Sequence, residues 1–301
     1  MPTSIPVSGS SDAGPAPHSR PRRSPWRDVL VRLARSRGAV LGGMILVVLI
    51  LAAVGAPLLT GYDPLTMQPD DRLQPPNRHH LFGTDVFGRD LFTRVLYGSR
   101  ISLRTGVISI SLAMTLGVPL GLTSGFYGGG IDRLLMRIAD LMLTFPGILL
   151  ALVIIAILGP NLLNAMVAVG ISASPTYARV VRATVLSAKE QVYVEAARAA
   201  GCTNGRIMLR HVLPNAVAPV IVLGTLGIAG AIIAAAALSY LGLGAQPPTP
   251  EWGALLSEGR NYLRVAWWMT TFPGLAIMTA VLSINLLGDG LRDALDPRLR
   301  P

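Results

Sequence analysis

Five long stretches without a charged side chain constrain the fold of this chain more than any other feature. A helix needs about 20 such residues to cross a lipid bilayer. The third stretch is long enough for two helices, and Gly159, Pro160 and Asn161 divide it where a helix would stop. The pattern therefore predicts an all-α integral membrane protein with six transmembrane helices. The five stretches are 38–62, 105–131, 141–178, 211–250 and 265–288.

The overall composition agrees with a membrane protein. Only 14% of the 301 residues are charged, against about 25% in an ordinary soluble domain, and 51% are hydrophobic. A transmembrane β-barrel would show alternating segments of about 10 residues, which the sequence lacks. The first apolar stretch begins only near Gly38, after a Pro/Ser/Arg-rich tail, and ends without a small-residue cleavage site, so a signal peptide is not expected either.

The distribution of basic residues predicts the orientation. Seven arginines precede the first span, whereas residues 63–100 balance five Arg against five Asp. Because basic residues accumulate on the cytosolic side, we expect both chain ends to be cytosolic in a multi-pass protein of a bacterial inner membrane. The same rule explains the net charge of +10 without nucleic acid, since the basic residues are not interleaved with aromatic ones. The single cysteine, Cys202, can form no internal disulfide.

The chain is predicted to divide at the ends of the apolar stretches. Before the first span we expect a disordered basic arm and an amphipathic helix at the inner surface, anchored by Trp26. The core contains five spans and a cytosolic coupling loop at about 183–213. The predicted units are 1–37 (arm and interfacial helix), 38–62 (first span), 63–100 (extracytoplasmic loop with a surface helix), 101–290 (core) and 291–301 (cytosolic tail).

The loop before the second span admits two interpretations. Its acids and histidines, Asp85, Asp90, His79 and His80, could build an external substrate or metal site. We favour a surface helix over 82–98, capped by Thr84 or Asp85 and without bound metal. In that helix the pairs Asp85 with Arg89 and Asp90 with Arg94 would be solvated ion pairs at i, i+4 spacing.

The chain shows no sign of chemistry of its own. At membrane depth the only ionisable candidate is Asp140, expected near the inner interface, so a proton relay has little support. Nucleophile-elbow and phosphate-binding glycine motifs are absent from the sequence. We therefore expect no catalytic residue and no cofactor. Small residues, glycines and prolines such as Pro146 and Gly147 suit either close helix packing or the lining of a path.

One polar segment separates two of the long apolar stretches. The sequence "AKEQVYVEAARAA" favours a helix over 188–200, and Gly201 stands where a left-handed C-cap would end it. Thr203 can then cap a second short helix that carries Arg206 and Arg210 into the fifth span. Taken alone, the segment could be a docking element or only a solvated interfacial hairpin.

The residues "EAARAAG" followed by "LRHVLPN" resemble the EAA motif of membrane subunits of ABC importers. The resemblance implies that the segment docks into cytosolic ATPase subunits. Glu195 would meet a basic partner, the two alanines would allow close approach, and Gly201 would allow the turn. Val212 stands where Ile is usual. The predicted docking residues are Glu195, Ala196, Ala197, Arg198, Gly201, Arg206, Arg210 and Pro214.

Further motifs over roughly 80–300 resemble the dipeptide/oligopeptide permease family, in particular its C-type subunit. They include "FGTDVFGRDLFTRVLYGSRISL", "DRLLMRIADLMLTFP" and "LSYLGLGAQPPTPEWGALLSEGRNYL". The resemblance implies a type I ABC importer transmembrane fold with cytosolic coupling helices. It also implies a homologous B-type permease subunit, two cytosolic ATP-binding subunits and an extracytoplasmic substrate-binding protein as partners, in a lipid bilayer.

The sequence departs from the family pattern at two positions, and it leaves three alternative functions open. Ala235 stands where relatives often carry an acidic residue, which puts a polar role of that helix in doubt, and Leu81 stands where Pro is common. The substrate could be a nickel chelate or an opine instead of a short peptide. An ATP-independent secondary transporter and a membrane scaffold are the alternatives of other classes.

Overall fold

The computed structural model describes residues 25–295, and its secondary structure there is helical, with one isolated bridge between Thr84 and Asp90. The predicted all-α fold is confirmed for this range. The arm 1–24 and the tail 296–301 lie outside the described residues, as does the side chain of Trp26. The helices are α1 Pro25–Arg35, α2 Arg37–Val54, α3 Ala56–Leu59, α4 Leu91–Tyr127, α5 Gly129–Thr144, α6 Gly147–Leu158, α7 Leu162–Ala188, α8 Val192–Ala199, α9 Asn204–Ile207, α10 Leu213–Tyr240, α11 Trp252–Gly259 and α12 Trp268–Leu295.

Four helical segments of the described chain are long and apolar enough to cross a membrane: α2, α4, the continuous helix Asn204–Tyr240 and α12. A fifth is possible if α5 and α6, which meet at an angle of 96°, are one broken span. Helix α7 is long enough, but its polar residues lower its hydropathy. Length and composition thus account for up to five spans, and the sixth, through α7, stays a prediction.

The centre of the bundle is built on close contact between α4 and α7. Gly117 and Gly121 on α4 face the α7 backbone at Ser174 and Ala178, where an added Cβ would collide with a carbonyl oxygen. Gly42 on α2 similarly faces the α12 backbone at Ser283. The small residues at these positions therefore allow helices to approach closely, which is one of the two roles that the sequence left open.

Residues 60–90 and 241–267 fold together at one end of the bundle, and we call them the loop assembly. Two tryptophans fix it in place. The indole of Trp252, which is fully buried, donates to the carbonyl of Val95 at 3.0 Å, and that of Trp268 donates to the carbonyl of Thr84 at 3.0 Å. Each bond satisfies the polar edge of an otherwise apolar side chain.

The predicted surface helix over 82–98 is wrong. Helix α4 begins only at Leu91, and its N-cap is Asp90, which accepts from the Thr93 amide at 2.8 Å, not Thr84 or Asp85. The preceding residues form a tight turn, because the Asp85 carboxylate accepts from two amides within it and Gly88 has φ +75°. A helix cannot run through that conformation.

Candidate functional site

The polar segment forms a hairpin of short helices, residues 189–214, which we call the polar hairpin. Helix α8 covers Val192–Ala199 and is therefore shorter than the predicted 188–200. Ala188 instead ends α7, where the Lys189 amide still bonds to the carbonyl of Val185 at 2.9 Å. The Lys189 ammonium then reaches the carbonyl of Gly125 near the end of α4 at 3.1 Å. The hairpin thus starts from a point fixed on α4 and α7.

Gly201 makes the turn between α8 and α9, as predicted. Its φ is +77°. The Cys202 amide bonds to the carbonyl of Ala197 at 3.1 Å, and the Gly201 amide bonds to that of Arg198 at 2.9 Å. These two bonds and the left-handed residue define a Schellman C-cap, in which glycine has no Cβ to strain the backbone.

The second half of the polar hairpin leads directly into α10. Thr203 occupies the N-cap position of α9, although its side chain makes no capping hydrogen bond. A π turn, Met208–Val212, then joins α9 to α10. Pro214 in the first turn of α10 has no amide hydrogen, and a local change of hydrogen-bond pattern is a common way to accommodate a proline in a helix. Movement of α9 would therefore be passed to α10.

One face of the polar hairpin is buried against the bundle. Val194, Ile207 and Val212 are fully buried. They pack in one cluster with Phe126 of α4 and Val185 of α7. Each fully buried aliphatic side chain contributes about 1.5–3 kcal/mol relative to an exposed one. The hairpin is therefore held firmly on its inner side.

The opposite face of the polar hairpin is exposed. Among the described residues none of Glu195, Arg198, Arg206 and Arg210 takes part in an ion pair with another charged side chain. Ala197 differs from the other predicted docking residues, because it is half-buried against the inner cluster. The exposed predicted residues are Glu195, Ala196, Arg198, Gly201, Arg206, Arg210 and Pro214.

Sequence reasoning gave too little weight to two large side chains on the exposed face. Val192 is 78% exposed and Tyr193 is 42% exposed. The Tyr193 hydroxyl accepts a hydrogen bond from the side-chain amide of Asn215 at 2.9 Å, which connects α8 to α10. Val192, Ala196 and Ala199 lie on one side of α8. Their helical spacing in the sequence could have predicted this apolar strip. The exposed face therefore combines an apolar strip with charges that have no ionic partner in the described part of the chain.

Two ion pairs connect α5 to the part of α7 that precedes the polar hairpin. Asp132 accepts two hydrogen bonds from Arg182, both at 2.6 Å, and also the hydroxyl of Ser124. Further along α5, Asp140 pairs with Arg179 at 2.6 Å, and both side chains are half-exposed. Asp140, the candidate ionisable residue at membrane depth, is thus partly solvated and paired with an arginine. These pairs fix α5, and with it the bend to α6, against α7.

One group of charged side chains in the loop assembly and at the start of α4 is paired internally. The Asp85 carboxylate lies 2.6 Å from Arg89 Nε and 2.6 Å from Arg94 Nη1, and all three side chains are almost completely buried. Glu258 completes the group at 3.0 Å from Arg89 and 2.6 Å from Arg94. The predicted Asp85–Arg89 pair forms, but it is not solvated. The predicted Asp90–Arg94 pair does not form, because Asp90 caps α4 and Arg94 turns to Asp85 and Glu258.

The two neighbouring histidines have different surroundings. His79 is exposed, whereas His80 is buried, with its Nδ1 3.0 Å from Asp90 and its ring centroid 5.2 Å from that of Tyr62. Asp85 does not join them, because one of its oxygens accepts from the two arginine side chains and the other from the backbone amides of Phe87 and Arg89. Within residues 25–295 no three His, Cys, Asp or Glu side chains are grouped to hold a metal ion.

Comparisons with known proteins agree with this architecture. Residues 117–301 match the family described as binding-protein-dependent transport system inner membrane component, and residues 24–76 match the N-terminal TM domain of oligopeptide transport permease C. The chain is 49% identical to the dipeptide transport system permease protein of Alkalihalophilus pseudofirmus, over 95% of this chain and 96% of that protein. It is 46% identical to a glutathione transport system permease protein of Pectobacterium atrosepticum, over 92% and 93%.

A solved structure supports the fold. A chain of the MetNI methionine ABC transporter in an inward-facing form superposes with a TM-score of 0.53 and 22% identity, over 67% of this chain and 96% of that one. At this identity the likeness concerns the fold alone. The family match and the two relatives show that this chain belongs to the family of binding-protein-dependent transport system inner membrane components.

Proposed function

We propose that this chain is the permease subunit of an ATP-binding-cassette importer for short peptides, in which it forms half of the translocation path. Its relatives carry names of dipeptide, di/tripeptide and glutathione transport permeases, and glutathione is itself a small peptide. These names favour peptides over the nickel chelates and opines that the sequence left open. Selection among peptides would rest mainly with the external binding protein.

The partners would be a homologous B-type permease subunit, two cytosolic ATP-binding subunits and an extracytoplasmic substrate-binding protein. ATP would be hydrolysed in the separate ATP-binding subunits, and this chain would bind no nucleotide. With both ends cytosolic and six spans, the polar hairpin would face the cytosol. The loop assembly would then lie on the outer side, where the binding protein arrives.

The exposed face of the polar hairpin carries this proposal. Glu195, Arg198 and Arg206 have no ionic partner within residues 25–295, and these charges around a slim, alanine-rich α8 suit insertion into a groove of complementary charge. The buried face fixes the hairpin to α4, α7 and α10, so a displacement of the docked helices would be transmitted to the bundle. Closure of the ATP-binding subunits would then switch the bundle between outward-open and inward-open states.

A reconstitution experiment tests the function. The complete complex, with its partner subunits and binding protein in liposomes, should import a labelled dipeptide only when ATP is present on the ATPase side. A nickel chelate and an opine serve as competing substrates. Import of the dipeptide without ATP would indicate secondary transport instead, and import of only the chelate or the opine would reject the peptide assignment.

A further inference from the structure

A cavity of about 390 Å³ lies halfway along the bundle, between the α5–α6 bend and helices α4, α7 and α10. Ile110 lines it from α4, Ala173 from α7 and Gly227 from α10, and each of these residues lies near the middle of its helix. Small-molecule sites typically have volumes of about 300–1,000 Å³. The cavity thus has the size of a ligand site at mid-depth of the predicted spans.

The cavity opens at the surface of this chain. Its inner wall is buried, with Ala151 and Val169 almost inaccessible, whereas Phe145 at its mouth is 58% exposed. Gly230 is also exposed at the mouth, and a Cβ added there would meet no atom of the described residues within 4 Å. Glycine weakens the middle of a helix relative to alanine, so helix stability does not account for Gly230. The glycine keeps the mouth of the cavity free of a side chain.

Three hydroxyl groups on α7 give the apolar cavity a polar side: Ser172, Thr176 and Tyr177. The Tyr177 hydroxyl donates to the carbonyl of Leu223 at 3.3 Å, and that of Ser172 donates to the carbonyl of Val169 at 2.9 Å. A hydroxyl that donates still has lone pairs to accept a hydrogen bond. Gly227 makes room for the tyrosine, because a Cβ there would collide with its hydroxyl oxygen.

The lining contains no Asp, Glu, Lys or Arg among the described residues. Such a wall would accept N–H groups and apolar side chains but would not neutralise a charged group. A site that holds its ligand weakly is what passage through a membrane requires, since the ligand must also leave. A lipid chain, in contrast, would gain nothing from the hydroxyls on α7.

We infer that this cavity is a transient subsite of the translocation path, which receives an apolar side chain of a transported peptide together with the amide N–H beside it. The inference rests on the proposed function and adds to it a contribution of this chain to substrate preference. Gly230 keeps the mouth wide enough for the side chain, and the hydroxyls of α7 accept from the peptide backbone.

A graded series at position 230 tests the inference in the complete reconstituted complex. Gly230→Ala, Gly230→Leu and Gly230→Phe fill the mouth stepwise, and import of Leu-Leu and Gly-Gly is compared. Apolar pockets discriminate by about 10–200-fold between side chains that differ in size. We expect Leu-Leu import to fall stepwise, by about tenfold or more in the Phe variant, while Gly-Gly import changes much less.

Ile233→Phe is the matched control, because Ile233 lies on the same helix, is 49% exposed and does not line the cavity. It should leave the ratio of the two import rates unchanged. If the wild-type complex imports peptides but the Gly230 variants lower both rates equally, or behave like Ile233→Phe, the subsite is contradicted while the proposed function stands. If the wild-type complex imports neither peptide, both proposals fail.

The occupant can be identified directly. A photocrosslinking amino acid at position 230 of the complete complex should capture radiolabelled Leu-Leu during ATP-driven import, and the same residue at position 233 should not. Capture of lipid alone at position 230, with no peptide adduct during active import, would show that the cavity holds an acyl chain and would overturn the inference.

Discussion

The loop assembly and the polar hairpin contain similar residues but use them in opposite ways. In the loop assembly the carboxylate of Asp85 is buried against the guanidinium groups of Arg89 and of Arg94 at the start of α4. In the polar hairpin Glu195 and Arg198 point away from the bundle without ionic partners among the described residues. Charges that are paired internally hold a structure together, whereas charges left exposed on a firmly anchored surface are available to a partner.

The largest effect that we expect comes from breaking the internal charge group. Asp85→Ala removes the carboxylate between two buried guanidinium groups and leaves Arg89 and Arg94 with only Glu258. Breaking a buried ion pair in this way costs about 3–5 kcal/mol. The apparent unfolding temperature of the purified complex should therefore fall clearly, or the variant should fail to accumulate.

Asp70→Ala is the control for that substitution, because Asp70 is an exposed acid of the same loop assembly. Exposed substitutions usually change stability by no more than about 0.5 kcal/mol. Equal stability of the two variants would show that the buried group contributes nothing, and the contrast with the polar hairpin would disappear.

A smaller effect on stability, but a large one on transport, is expected from Gly201→Val. A residue other than glycine in the left-handed region costs about 1–3 kcal/mol, and valine is branched at Cβ. Because no atom of residues 25–295 lies within 4 Å of a Cβ at this position, the strain arises from the backbone and not from crowding. The helices α8 and α9 should lose their relative angle, and ATP-driven import should fall with the complex still assembled in the membrane.

Gly205→Val is the companion variant, since Gly205 is exposed in the same hairpin, has open space around its Cβ position and lacks a positive φ. Its import rate should exceed that of Gly201→Val. Similar losses in the two variants would mean that the turn conformation is not what matters.

A pH effect on stability should appear in the loop assembly. Burial raises the pKa of the Glu251 carboxyl above its ordinary value of 4.5, against opposing hydrogen bonds from Gly253, Ser239, Ala254 and Ser102. With a raised folded-state pKa, ionisation opposes folding: there is no penalty below about pH 4.5, and it grows until the folded-state pKa is passed. Glu251→Gln cannot ionise and should therefore gain stability relative to wild type as pH rises.

Thermal unfolding of the two complexes between about pH 5 and about pH 8 measures this trend. Gln246→Ala is the comparison, because it is an exposed substitution in the same loop assembly that removes no ionisable group. Its difference from wild type should stay constant over the same range. A difference for Glu251→Gln that shrinks with rising pH would contradict the effect of burial on this carboxyl.

The smallest effect on stability is expected from Glu195→Lys. An exposed substitution on α8 should change the free energy of unfolding by no more than about 0.5 kcal/mol. Import and transport-linked ATP hydrolysis should nevertheless fall together, because the lysine would repel a basic groove. A variant with wild-type import and normally bound ATP-binding subunits would reduce the polar hairpin to a solvated turn.

The sequence predicted those parts of the molecule that depend on short stretches of chain. The apolar runs located the long helices, the break at Gly159 to Asn161 separates α6 from α7, and Gly201 ends α8. Each of these follows from hydropathy over a helix length or from the conformational range of one residue. The six-helix count stays a prediction, because α7 carries polar residues and α5 and α6 are bent by 96°.

Partners that are distant along the chain could not be predicted. Arg94 pairs with Asp85, which is nine residues away, and with Glu258, which is 164 residues away, although Asp90 stands at the ideal helical spacing. The pairing depends on where α11 packs, and local spacing does not contain that information. In the same way, only the fold shows that Ala197 turns inward while Ala196 faces out.

The most direct test of the account is accessibility to a membrane-impermeant maleimide. The lone cysteine is replaced by Cys202→Ala, and a single cysteine is introduced either by Ala199→Cys in the polar hairpin or by Asp70→Cys in the loop assembly, both at exposed positions. Position 70 should react in intact cells whether or not the ATP-binding subunits are present. Position 199 should react only after permeabilisation and should be protected when the ATP-binding subunits are bound. Reaction of position 199 in intact cells, or equal reaction with and without those subunits, would contradict the assignment of the polar hairpin as the element that couples ATP hydrolysis to transport.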